Sequence, residues 1–192
     1  MRNLNTATRP VITLVLITLN ALAFLPSLTS SGALGQGANP LAPDFALIGP
    51  AVADGQWWRL ITSGFLHYGF MHLGFNLFAL WLVGNILEPA LGRLRFAIVY
   101  FAGLLAGSAG ALLLSYNAST AGASGAVFGI MGALFVGQRR LGVDPWRNGI
   151  GGLLVINLVF TFAIPNISIG GHLGGLLGGS LAGYLAFLTL RR

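Results

Sequence analysis

Six apolar runs, at about 10–29, 70–88, 94–115, 122–138, 148–164 and 168–190, take up most of this 192-residue chain. Crossing ~30 Å of hydrocarbon as a helix needs about 20 apolar residues, with some tolerance either way. The second, fourth and fifth runs are short, which suits helices packed inside a bundle and shielded from lipid by their neighbours. Only 7% of the residues are charged and 55% are apolar, whereas soluble domains are about a quarter charged. Such a chain cannot coat itself for water. The sequence predicts an all-α membrane protein: a single domain, 1–192, of six transmembrane helices in a lipid bilayer.

Arginine orients the runs. All ten basic residues are Arg, and the net charge is +6. Arg2 and Arg9 precede the first run, Arg93 and Arg95 separate the second from the third, and Arg139, Arg140 and Arg147 separate the fourth from the fifth. Arg191 and Arg192 follow the sixth. Nine of the ten therefore share one side of a six-pass chain, with only Arg59 opposite. The positive-inside rule then puts both termini in the cytoplasm. The arginines form no basic stripe, so no nucleic-acid partner is expected. A cleaved signal peptide is the lesser alternative for the first run, which ends near Pro26 and a Ser/Gly/Ala stretch. The longest loop, about 29–69, falls on the extracytoplasmic side and carries Trp57, Trp58, Phe65 and Tyr68. Trp and Tyr favour the headgroup level, so this loop is expected partly in the interface.

Polar groups are costly in hydrocarbon and mark function by default. His72 and Asn76 open the second run, four apart and so on one helix face. Ser124 opens the fourth run and His172 the sixth, and His67 lies just above them in the loop. In the six-pass arrangement these residues share one depth, on the outer side. Each alone has an ordinary explanation: a Ser bonded back to its own helix, an Asn joining helices, a His satisfied in the core. Their convergence from three helices is harder to explain that way.

A hydroxyl nucleophile needs a base within hydrogen-bond reach and donors for the oxyanion it creates. Ser124 sits in Gly122-Ala123-Ser124-Gly125, where small neighbours admit a substrate backbone and a helix N-terminus leaves N–H groups free. His172 lies in Gly171-His172-Leu173-Gly174-Gly175, and Gly175 and Gly179 allow close helix packing. Ser124 is thus the candidate nucleophile and His172 its base. His72, Asn76 and the Ser124 amide are the candidate oxyanion hole. The four acids, Asp44, Asp54, Glu88 and Asp144, lie at other depths, so a Ser–His dyad is expected rather than a triad. Cys and Lys are absent, no HExxH motif occurs, and no intramembrane pair of acids is possible. No metal or other cofactor is expected.

These residues resemble the rhomboid family of intramembrane serine proteases along essentially the whole chain. Trp58-Arg59, His67…His72…Asn76, Gly122-Ala123-Ser124-Gly125 and Gly171-His172 with Gly175 and Gly179 carry the resemblance. It implies a six-helix bundle in the cell (inner) membrane with a wet cavity opening to the extracytoplasmic side. It also implies hydrolysis of peptide bonds in or near the transmembrane segments of other membrane proteins. By the same resemblance Trp58 and Arg59 brace the first loop, and Glu88 holds a structural position. Phe128 stands where members often carry a Tyr stacked on the histidine, and Ser63, where some carry a histidine, is expected to be peripheral. The chain looks like the minimal six-helix bacterial form. Two other readings stay open: a rhomboid-like protein that binds membrane clients without cutting them, and a small transporter that uses its histidines to relay protons or hold metal.

Overall fold

The computed structural model describes residues 9–29 and 39–190. Arg2, Arg191 and Arg192, used above to orient the chain, and the Ser/Gly/Ala stretch after the first run lie outside the described residues. In chain order the helices are α1 (Val11–Thr29), α2 (Ala42–Phe45), α3 (Gly49–Ala53), α4 (Arg59–Thr62), α5 (Phe70–Leu91), α6 (Arg93–Leu114), α7 (Ser124–Arg140), α8 (Ile150–Ala163) and α9 (Ile169–Leu188). A 3-10 turn, Ser63–Phe65, follows α4. Each long helix covers one of the apolar runs. By length and composition α1, α5 and α6 are able to cross a membrane; α7 and α8 are shorter, and α9 is rich in glycine.

Large apolar side chains face outward as well as inward. Phe75, Phe78, Leu94, Leu113, Phe162 and Leu177 are each at least 60% exposed. Apolar surface on this scale has no place in water. Lipid is its natural neighbour, and the chain is a membrane protein.

The centre of the bundle is formed by α6, α7 and α9, the most extensively packed elements. Between helices in lipid there is little hydrophobic driving force, so close van der Waals packing does the work. Glycines make it possible. A methyl group added at Gly129 of α7 would sit 2.8 Å from the Gly103 Cα of α6. One added at Gly107 of α6 would lie 2.9 Å from the Gly171 carbonyl oxygen of α9. At Gly175 of α9 it would run into the backbone of Gly125. Branched and aromatic side chains, among them Leu80, Phe96, Tyr100, Ile130 and Met131, fill the space around this contact.

The first helix is joined to the bundle through a carboxylate. A helix cannot satisfy its own first N–H groups. Glu88 of α5, only 2% exposed, accepts from Ile12 N at 2.9 Å, Thr13 N at 2.7 Å and Thr13 Oγ1 at 2.7 Å. Its negative charge also faces the positive end of the helix dipole. Glu88 therefore has the structural role the resemblance implied. Just beyond it α5 stops at Gly92, whose φ of 81° suits glycine and turns the chain directly into α6.

Gly175→Ala should push α7 and α9 apart and lower stability by about 1–3 kcal/mol, the usual range for overpacking. The readout is the thermal unfolding midpoint in detergent. Gly152→Ala on α8, where an added methyl meets nothing within 4 Å, is the control. Equal midpoints for the two variants would contradict the backbone contact.

Candidate active site

Ser124 is the first residue of α7, and the turn before it is held from outside the helix. The Gly122 N–H donates to the Ser63 carbonyl at 2.9 Å. Ser63, expected to be peripheral, is 4% exposed and is part of this support; its contribution is a backbone oxygen, which no side-chain motif reveals. Gly122 has φ 130°, a conformation that side chains rarely adopt. A methyl there would lie 2.8 Å from both Cε1 and Nε2 of His72 and 3.7 Å from Ser124 Oγ. The His72 imidazole thus lies over the Gly122 backbone, on the turn that leads into Ser124.

At the start of α9 the Ser168 hydroxyl caps the helix, accepting from Gly171 N at 3.1 Å. His172 follows in the first turn and is 9% exposed. Its Nε2 is 2.8 Å from Ser124 Oγ. Phe128, one turn along α7 from Ser124, stacks on the His172 ring with centroids 4.4 Å apart and planes 25° apart. On the far side of the ring, Nδ1 is 2.7 Å from the Thr161 hydroxyl of α8. Gly125 lets α9 approach: a methyl on it would lie 3.2 Å from the Gly171 carbonyl oxygen.

Asn76, 6% exposed, donates one amide hydrogen back to the His72 carbonyl at 2.8 Å. Its second amide hydrogen is not used in that bond. His67 is fully buried and packs edge-on against His72, with ring centroids 4.9 Å apart. Burial, with the His72 ring beside it, pushes the His67 pKa from 6.5 down to about 3, and a backbone interaction at Phe65 offsets only part of this.

Trp58 and Arg59 are not at the serine. Arg59 is 4% exposed and donates to Gln56 Oε1, the Ala46 carbonyl and the Pro43 carbonyl, each at 2.7 Å. Trp58 Nε1 donates to the Asp44 carbonyl at 3.1 Å. Together they fold the loop between α1 and α5 onto itself. The loop in turn grips the segment leading to Ser124, through paired Leu47–Thr120 backbone bonds at 2.9 Å and a Tyr68–Ser119 hydroxyl contact at 2.7 Å.

Five expected site residues, Gly122, Ser124, Phe128, His72 and His172, thus meet in one place, with Gly125 behind them and Asn76 and His67 attached through His72. Thr161 was missed. A lone Thr in an apolar helix carries no signal of its own; only its place in the last turn of α8, just before the turn into α9, sets it level with His172. Among the described residues no three His, Asp or Glu side chains converge as a metal ion would require.

Residues 54–189 match the rhomboid domain. The rhomboid protease GluP of Bacillus subtilis is 42% identical over 125 residues, covering 64% of this chain and 24% of that protein. The rhomboid-type serine protease 2 of Emericella nidulans is 34% identical over 117 residues, 58% of this chain and 23% of that one. The inactive RHOMBOID-like protein 8 of Arabidopsis thaliana is 32% identical over 136 residues, 70% of this chain and 38% of that one. The chain belongs to the rhomboid family. It spans between 23% and 38% of the length of these three relatives, and both active and inactive proteins are among them.

His67 generates a pH prediction. Its folded pKa, about 3, lies below the unfolded value of 6.5. Between those values the unfolded chain binds more protons, so the His67 contribution is intact above about pH 6.5 and is lost as pH falls toward 3. The unfolding midpoint in detergent should drop on acidification from pH 7 to 4, and His67→Gln should flatten part of that drop. Parallel curves for the two proteins would exclude His67 as a cause.

Proposed function

We propose that this chain is an intramembrane serine endopeptidase that hydrolyses peptide bonds in or near the transmembrane segments of other membrane proteins. The observation that carries this reading is the 2.8 Å contact between Ser124 Oγ and His172 Nε2, made by the first turns of two helices inside an apolar bundle. A hydroxyl is a weak nucleophile until an adjacent base takes its proton. His172 Nε2 accepts the Ser124 proton as Oγ attacks the scissile carbonyl carbon, then gives it to the departing amine nitrogen. Phe128 holds the imidazole plane during both transfers. The oxyanion lies near the N-terminus of α7, where the Ser124 N–H, His72 and the free amide hydrogen of Asn76 donate to it. Water then enters by the same base and releases the acyl group.

The working arrangement is a six-pass domain over 1–192 in the cell membrane, with cytoplasmic termini and the site open to the extracytoplasmic side. Arginine placement supports it, as do the apolar outward faces of the long helices. The buried, carbonyl-bonded Arg59 supports a structural part for the loop at that mouth. The serine and histidine are both present and in contact, which favours cutting over client binding alone. Lipid and single-pass substrate proteins are the expected partners, and no cofactor enters the chemistry.

Ser124→Ala should abolish cleavage of a single-pass substrate in liposomes, to below about 10⁻³ of wild type on general expectation for a lost nucleophile, while the protein stays folded. A fluorophosphonate should label wild type at Ser124 and leave the alanine variant unlabelled. Residual cleavage above background in that variant, or labelling elsewhere, removes Ser124 as nucleophile. Loss of cleavage with chelators would instead favour the metal reading.

A further inference from the structure

We propose that Thr161 is a positioning residue that selects the reactive tautomer of His172; this rests on the hydrolase reading above and adds a third member to its hydrogen-bond chain. Thr161 lies in the last turn of α8 and is 2% exposed. Its hydroxyl is 2.8 Å from the Asn157 carbonyl, one turn back in its own helix, and 2.7 Å from His172 Nδ1. A hydroxyl has one proton to give and two lone pairs to receive with. The Asn157 carbonyl can only accept. Satisfying all three groups at once leaves one assignment: Thr161 donates to Asn157 and accepts from a protonated Nδ1. His172 Nε2 is then the unprotonated nitrogen, and it is the one that faces Ser124 Oγ at 2.8 Å.

The opposite tautomer is penalised at both ends of the ring. Nε2–H would point its proton at Ser124, where a base needs a lone pair. An unprotonated Nδ1 would need the Thr161 proton and so would break the bond to Asn157. When Nε2 takes the serine proton, Nδ1–H stays on Thr161, so the imidazolium is held in place until it protonates the leaving amine. The partner is a neutral hydroxyl, so it fixes the ring and its tautomer without adding a negative charge. A partner on the second nitrogen usually sets which imidazole nitrogen is free. Here the role falls to a back-bonded threonine, whose ordinary intrahelical bond uses up its proton and leaves its lone pairs for the histidine. Phe128 fixes the ring plane from one side; Thr161 fixes its rotation within that plane.

Two measurements test this. In the first, Thr161→Val, close in shape but without the hydroxyl, should cut kcat on a single-pass substrate about ten- to a hundredfold with KM nearly unchanged. That is less than the about 10⁴ lost where a triad carboxylate is replaced and the tautomer inverts. Thr161→Ser should restore kcat to within about threefold of wild type, since serine can form the same two bonds. A kcat for Thr161→Val equal to wild type, or a Ser variant as impaired as the Val one, overturns the proposal. In the second, 15N NMR of histidine-labelled wild type should show His172 as the Nδ1–H tautomer, and this should become mixed in Thr161→Val. An Nε2–H tautomer in wild type overturns the proposal even if the Val variant fails to fold. If wild type neither cuts nor takes up fluorophosphonate, the hydrolase reading fails, while the tautomer measurement still decides the role of Thr161.

Discussion

Backbone meets backbone at the centre of this bundle, and the rest of the structure depends on it. Gly125 of α7 and Gly171 and Gly175 of α9 carry no side chains, so the helices bearing Ser124 and His172 approach until their main chains touch. A serine and a histidine have short reach. Two helices at the usual 8–10 Å axial separation would hold a hydroxyl and an imidazole apart unless both came from facing positions. Here the glycines beside Ser124 and His172 are themselves the contact, so closeness at the site follows from closeness in the core. Residues such as Tyr100, Ile130 and Phe187 pack round the contact and keep it from sliding.

A second network works from the outside. Among the described residues between α1 and α5, 39–69, there is no long helix, yet this stretch is fixed on two sides. Arg59 and Trp58 fold it onto its own carbonyls, and Ser63, Leu47 and Tyr68 connect it to residues 119–122 just ahead of the serine. The main-chain turn that presents Ser124 is therefore braced by a different part of the sequence from the one that brings His172. Position and reach are supplied separately.

Much of this was legible in the sequence because hydrocarbon makes polar residues rare. The apolar runs lie within a few residues of the helices, and the residues singled out at 72, 122, 124, 128 and 172 meet in space. A resemblance carried by several ordered motifs added weight to what each residue suggested alone. Other features were not legible, for identifiable reasons. His67 was placed just above the others, but whether it reached the serine or the next histidine depends on how the segment ahead of α5 enters that helix, which no periodicity fixes; it packs against His72. Ser63 acts through a main-chain oxygen, and main chains have no letters. Thr161 is one hydroxyl among many in apolar helices, and its relation to His172 depends on the angle at which α8 meets α9.

Arg59 has one more consequence. Its three acceptors are a side-chain amide and two peptide carbonyls, all uncharged. The guanidinium is held as a solvated cation would be, by dipoles, rather than by a carboxylate. Acid cannot remove such acceptors by protonating them, and dissolved ions screen a charge–dipole contact at this range far less than a pair of exposed charges. The framework that Arg59 holds together is thereby insulated from swings in acidity and salinity outside the cell surface it faces in the proposed topology.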